Sequence, residues 1–237
     1  MNAEAQRRRD AETRFGFFLL RASVSLRLCV MFPHCMHLVI ATKNPGKAKE
    51  FREMLGADRF QWSDLSAHRG VPDVEETGHT FRANACLKAT HYATALRSWA
   101  LADDSGLVVD ALGGKPGALS ARWAAINGSG AGDGDNNALL LKQLDNVPDE
   151  QRAARFMCVL ALADPQGRII LTAQDAVEGV MLRAPRGTNG FGYDPLFFIP
   201  PLGRTTAELP PEEKHAISHR GKALRRMREL MERLPMR

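Results

Sequence analysis

The segment HLVIATKNPGKAKEFREMLG, residues 37–56, is the strongest constraint on the fold. HLVIAT (37–42) is a continuous apolar run of strand length, and NPGKAKEFREMLG (44–56) follows it as a helical pattern closed by Gly56. A strand that feeds straight into a helix commits the chain to an α/β arrangement, and the next segments repeat the alternation. EETGHTFRANACLKATHYATALRS (75–98) turns at Thr77–Gly78 and becomes a long alanine-rich helix that leads into the strand WALADDS. LADDSGLVVDALGG (101–114) then reads as a strand ending at Asp103 and Asp104, followed by a second short strand. NGSGAGDGDNNA (127–138) reads as a flexible loop, and LLLKQLDNV after it as a helix ending near Pro148. RFMCVLALAD (155–164) and RIILTAQDAVEGVML (168–182), joined by PQG, predict a hairpin. A short strand, LFFI, and a basic helix, HRGKALRRMRELMERL, close the chain. The expected fold is a mixed sheet with helices on its faces.

Composition narrows the function. With 237 residues, 44% of them hydrophobic, there is ample material for a core. The formal charge of +5 is concentrated: residues 1–36 carry six arginines and three acids, which leaves +2 for the other 201 residues. The globular part therefore lacks the dense basic stripe that phosphate-backbone binding requires, and no nucleic-acid partner is expected. No apolar run is long enough to cross a bilayer, and Arg21 and Arg27 interrupt the one stretch that resembles an export signal. Four scattered cysteines favour free thiols in a reducing, cytoplasmic compartment. Because a convincing strand begins at MHLVIAT, residues 1–35 read as a disordered extension or as the product of an upstream start codon, and 36–237 as one domain.

Several stretches could carry chemistry, and each has a plainer reading. TKNPGK (42–47) places small and polar residues where a strand meets a helix, with Lys47 in the first turn, a setting that binds phosphate. It departs from a Walker loop at Ala41 and Ala48, and an ordinary loop with a solvated lysine would look the same. Glu75 and Glu76 precede the long helix, where a helix dipole alone would favour them. Asp103 and Asp104 repel each other unless a cation intervenes, and hard carboxylates suit Mg²⁺, although a solvated turn would also hold them. Phe81, Asn84 and Lys88 share one helix face that could address a phosphate or simply face water. GTNGFGYDP (187–195) has the wrong spacing for a dinucleotide fingerprint, leaving a flexed loop whose Phe191 and Tyr193 could stack on a base. His215 and His219 lie at helical spacing, but Ala216 stands where a zinc protease needs glutamate. Cys29, His34, Cys35 and His37 read as incidental.

Taken in order, ATKNPGK, EETGHTFRANACLKA, LADDSGLVVDALGGKPGALSAR, GFGYDPLFF and KHAISHRGKAL closely resemble the inosine/xanthosine triphosphate pyrophosphatase family, from Met36 to the C-terminus. The resemblance implies an elongated mixed α/β fold of two lobes with the active-site cleft between them, assembled as a homodimer. It implies Mg²⁺-dependent hydrolysis of ITP, dITP and XTP to the monophosphate and pyrophosphate. By the same resemblance Thr42, Lys43, Asn44, Pro45, Gly46 and Lys47 form the phosphate loop, and Lys88 is a second phosphate contact. Glu75 and Asp104 are the metal ligands, Asp104 doubling as catalytic base, and Ser105 touches substrate. Phe191, Gly192, Tyr193 and Asp194, with Lys214, His219 and Arg220, recognise the base. Lys43 and Asn189 stand where glycines are common in the family. A nucleotide sensor without turnover is the alternative reading.

Overall fold

The computed structural model describes residues 37–55, 61–68 and 70–234. The predicted extension over residues 1–35, with Cys29, His34 and Cys35, lies outside the described residues. Seven strands form one sheet: β1 (His37–Ala41), β2 (Gln61–Asp64), β3 (Trp99–Val109), β4 (Ala153–Ala163), β5 (Ile169–Met181), β6 (Phe197–Ile199) and β7 (Arg204–Thr205), ordered β2-β1-β3-β4-β5-β6-β7. β1 runs parallel to β3, whereas β3 to β7 are antiparallel neighbours, so the sheet is mixed as expected. The helices are α1 (Pro45–Leu55), α2 (Phe81–Leu96), α3 (Trp123–Ile126), α4 (Asp133–Gln143), α5 (Pro211–Ile217) and α6 (His219–Glu232).

The two faces of the sheet are covered by different helices. α2 starts at Thr80, whose hydroxyl accepts the Ala83 N–H, and ends at Arg97 in the left-handed region. Its Ala85, Ala89, Tyr92 and Ala93 pack on Val39, Ala41, Ala100, Ala102 and Val159, and the small side chains let helix and sheet approach closely. Alternation along β3 sends Leu101 and Asp103 to the opposite face. α6 packs over β4 and β5, burying Ala223, Leu224, Met227 and Met231. A second cluster, Leu107, Leu140, Leu144, Phe156, Leu196 and Phe197 among others, joins α4 to the far end of β3 and β4.

Three expectations need correcting. The paired acids lie in the middle of an unbroken strand: β3 continues to Val109, with Asp103 opposite Leu160 and Asp104 opposite Val159. It is β1 that stops, at Ala41 beside Ala102, so the acids lie just past the end of the parallel neighbour. The predicted loop over 127–138 is helical from Asp133, because Gly132 (φ 100°) turns the chain in and Asp133 and Asp135 favour the positive helix start. His215 and His219 belong to separate helices, since Ser218 is extended (φ −65°, ψ 155°) and caps α6 through the Gly221 N–H. The hairpin over PQG is formed as expected, with Gly167 N–H donating to Asp164 O. Among the described residues, Cys86 and Cys158 are free thiols, and no helix is long and apolar enough to cross a membrane.

Candidate active site

A cavity of about 510 Å³ opens where β1 ends. Thr42, Lys43, Asn44, Lys47, Glu75, Lys88, Asp104 and Ser105 line it, as do Phe191, Gly192, Tyr193, Asp194, Lys214, His219 and Arg220. Of the residues predicted for the site, Pro45 and Gly46 do not line it. Gly46 instead packs beneath Phe191, where an added Cβ would come within 2.7 Å of Cδ1. The phosphate-loop geometry follows from capping: the Asn44 carboxamide oxygen accepts the Lys47 N–H at 3.0 Å, and the Thr42 hydroxyl accepts the Asn44 N–H at 3.2 Å. Lys43 pairs with Asp73 at the exposed side of this loop.

The two acids of β3 serve opposite faces of the sheet, so one cation between them does not explain their adjacency. Asp104 faces α2: the Lys88 ammonium reaches Asp104 Oδ1 and Glu76 Oε1, each at 2.9 Å, and Arg122 holds the other Glu76 oxygen at 3.1 Å. Asp104 Oδ2 is buried and has no hydrogen-bond partner. Burial pushes the Asp104 carboxyl up, despite the opposing pull of Lys88 and Lys47. Asp103 faces α1 and α6, where Lys47 and Arg220 both pair with it. Burial opposes its charge, but Arg220, Lys47 and Lys88 outweigh that and hold its carboxyl well below the usual range.

Glu50 ties the cavity's far wall together and was not predicted. It is buried on α1, accepts from Lys214 Nζ at 2.7 Å and pairs with the Arg220 guanidinium. Lys214 also reaches Asp194 Oδ2 at 2.7 Å, and that oxygen accepts the Phe191 N–H at 2.8 Å. Arg220 completes its fork on Asp103 Oδ2 (3.2 Å) and Ser105 Oγ (2.7 Å). Three of its five N–H groups are thereby used, leaving two for a ligand. Helical spacing from Lys47 to Glu50 is the sequence signal that places Glu50 on the same wall. Glu76 was noted beside Glu75 in the sequence, yet the structure gives it the buried partners, while the Glu75 carboxylate is exposed.

The aromatic residues divide their work. Tyr193 lines the cavity but is buried, with its hydroxyl donating to Ser120 O at 2.9 Å, and so anchors its loop. Phe191 is half-buried, with Lys214 Nζ 5.1 Å and Arg220 Cζ 5.8 Å from its ring centroid. His219 stacks on Phe156 with centroids 5.0 Å apart. Burial, reinforced by Arg220, pushes the imidazole well below its usual range, and its buried Nδ1 has no partner.

Glu50 gives a testable pH dependence. Burial opposes its charge, but Arg220 and Lys214 prevail and bring the carboxyl from 4.5 to about 2. A depressed carboxyl contributes stability that is fully present above the unfolded value and fades as pH falls through the folded one, so this contribution is lost between 4.5 and about 2. Glu50→Gln is expected to cost about 3 kcal/mol near neutral pH, and to flatten the fall in unfolding free energy below pH ~4. Urea titrations of both proteins across that range measure it; an unchanged slope would contradict the assignment.

The site also fits a divalent metal. Asp104 Oδ2 is a hard, buried, partnerless oxygen, with the Glu75 and Glu76 carboxylates lining the same cavity. Among the described residues no group of three or more His, Cys, Asp or Glu is arranged as a cage.

Residues 38–230 match the model of the Ham1 family. The chain is 50% identical over 199 residues to the dITP/XTP pyrophosphatase of Desulforamulus reducens, covering 84% of this chain and 97% of that protein. It is also 50% identical over 197 residues to the Geobacillus kaustophilus dITP/XTP pyrophosphatase, covering 83% and 95%. Among solved structures it resembles a HAM1 protein from Coxiella burnetii, with a TM-score of 0.75, 41% identity, and coverage of 84% of this chain and 100% of that one. The sheet, the cavity and these likenesses agree: the chain belongs to the Ham1 family.

Proposed function

We propose that this chain hydrolyses the non-standard purine triphosphates ITP, dITP and XTP to the nucleoside monophosphate and pyrophosphate, clearing deaminated purines from the nucleotide pool. The names of its relatives, dITP/XTP pyrophosphatases, support this reading. The observation that carries it is the partnerless Asp104 Oδ2 on a cavity that also holds Lys47, Lys88 and the buried Lys214–Arg220 pair.

Lys47 and Lys88 bind the phosphate oxygens and neutralise charge that gathers on the departing pyrophosphate. Its carboxylate partners keep Lys88 charged for this, because burial, which would lower its pKa, is outweighed by Asp104 and Glu76. Asp104 Oδ2 accepts the proton of the attacking water. Asp104 and Glu75, with Glu76 alongside, would hold Mg²⁺, which would supply charge neutralisation and a more acidic water. Phe191 provides the stacking face for the base. The two remaining Arg220 N–H groups can donate to O6 of hypoxanthine or xanthine, where adenine carries an amino group instead. The reading brings with it a homodimer in the cytoplasm.

Pyrophosphate release from ITP, XTP, ATP and GTP, measured side by side with Mg²⁺, tests the proposal. We expect kcat/KM for ITP to exceed that for ATP by about a hundredfold or more, and EDTA to abolish release. Equal rates on ATP, or activity that survives chelation, would overturn it.

A further inference from the structure

The Phe191 loop is gripped at its tip by a helix that the catalytic reading leaves without a role. Asp133 Oδ2, at the start of α4, accepts the Gly192 N–H at 2.7 Å. Asn137, one turn later on the same helix face, donates through Nδ2 to Gly192 O at 2.9 Å. Both polar groups of one backbone residue are thus held by one helix. Gly192 has φ 63°, so the chain turns sharply there, with the Phe191 ring immediately before it and the Tyr193 anchor immediately after.

The other fixings of this loop lie elsewhere. Asn189 ties its first half through Nδ2 to Leu209 O and through its own N–H to Ala207 O, both at 3.0 Å. Asp194 holds the Phe191 N–H. These bonds set the ends of the loop; the peptide that follows Phe191 is held through its carbonyl by the Asp194 N–H at 3.3 Å and through its N–H by α4 at 2.7 Å. Asp133 also lines the cavity, so the clamp is adjacent to the space a base would occupy.

We propose that Asp133 and Asn137 are positioning residues for nucleobase binding: by clamping Gly192 they fix the plane of the Phe191 ring against Gly46 and across the base pocket. The inference rests on the nucleotide reading above. It separates two parts of the site, since the clamp touches neither Asp104 nor Lys47 nor Lys88. Its loss loosens the base while leaving the phosphate grip and the proton acceptor in place.

Two measurements test it. Amide exchange without nucleotide reads the clamp itself: the Gly192 N–H is slow to exchange in the native chain and faster in Asp133→Ala, and equal rates would overturn the proposal. Steady-state kinetics with ITP read its purpose. Asp133→Ala and Asn137→Ala each raise KM by about tenfold with kcat within about twofold, the scale of one hydrogen bond, stronger where a charge takes part. Asp133→Asn, which keeps an oxygen acceptor for the Gly192 N–H, recovers most of that loss. In a Phe191→Ala background the Asp133→Ala effect shrinks to about twofold or less, because there is no ring left to orient. Inhibition by pyrophosphate, a probe of the phosphate side, is unchanged in all of them. A fall in kcat instead of a rise in KM, no recovery in Asp133→Asn, a full effect in the Phe191→Ala background, or parallel weakening of pyrophosphate binding would each overturn the proposal. Failure of the native chain to hydrolyse ITP would instead count against the enzyme reading, and Gly192 exchange would still decide whether the clamp exists.

Discussion

Asp104→Asn is expected to reduce kcat for ITP by about a thousandfold or more while changing substrate affinity by less than about threefold. The substitution keeps shape and volume. An asparagine oxygen can still accept from Lys88, whose ammonium lies 2.9 Å from Asp104 Oδ1. What disappears is the second oxygen, the one with no partner, which is the atom able to take a proton from water or to meet a metal. Since Lys47 and Lys88 remain, the triphosphate is still held. Initial rates of pyrophosphate release, together with equilibrium binding of ITP to the variant, separate the two effects. Turnover within tenfold of the native chain would remove Asp104 from the chemistry.

Arg220→Ala has the next largest effect, and it appears in two quantities. Arg220 is 2% exposed and lies between Glu50 and Asp103, both buried carboxylates. Its removal leaves Glu50 with Lys214 and Asp103 with Lys47, each short of one partner, and breaking buried pairs in this way costs up to about 3–5 kcal/mol, which denaturant unfolding measures. The same substitution removes the donors proposed to meet O6, so the ITP:ATP ratio of kcat/KM should fall by at least about tenfold. Arg220→Lys retains a charge but loses the planar fork, and should recover part of the stability without recovering the preference. An unchanged ITP:ATP ratio in both variants would remove Arg220 from base selection.

The periodic parts of the fold are legible in the sequence because their signal is local. β1, α1, α2 and the β4–β5 hairpin each show a run of the right length with turn residues at its ends. β2 and β7 escape notice because four and two residues carry no usable periodicity. Asp103 and Asp104 mislead for a different reason. Acids beside serine and glycine resemble a strand end, yet β4 pairs with this stretch and Lys47, Arg220 and Lys88 neutralise it from both faces. Tertiary partners therefore override the local preference. The site residues follow the same division. Motif likeness brings most of them to one cavity, whereas Glu50, Glu76, Arg122 and Asp133 matter through contacts 12 to 170 positions away, and one chain read in order does not display such pairings. Tyr193 adds a contact of the same kind: the bond from its hydroxyl to Ser120 O, 73 positions away, is invisible in the order of the chain.

The order of the strands has a further consequence for how the protein behaves in solution. β3, β4 and β5 are 11, 11 and 13 residues long and sit inside the sheet, while the outermost positions fall to β2 and β7, which have four and two. The exception is β5, which meets β6 only at Val180 and Met181, so among the described residues the rest of its outer edge has no strand partner and is the one long margin open to another backbone. The segments richest in aggregation-prone apolar sequence, such as MCVLALA on β4, are thus exposed to intermolecular pairing mainly while the chain is still folding, before β3 and β5 close over them.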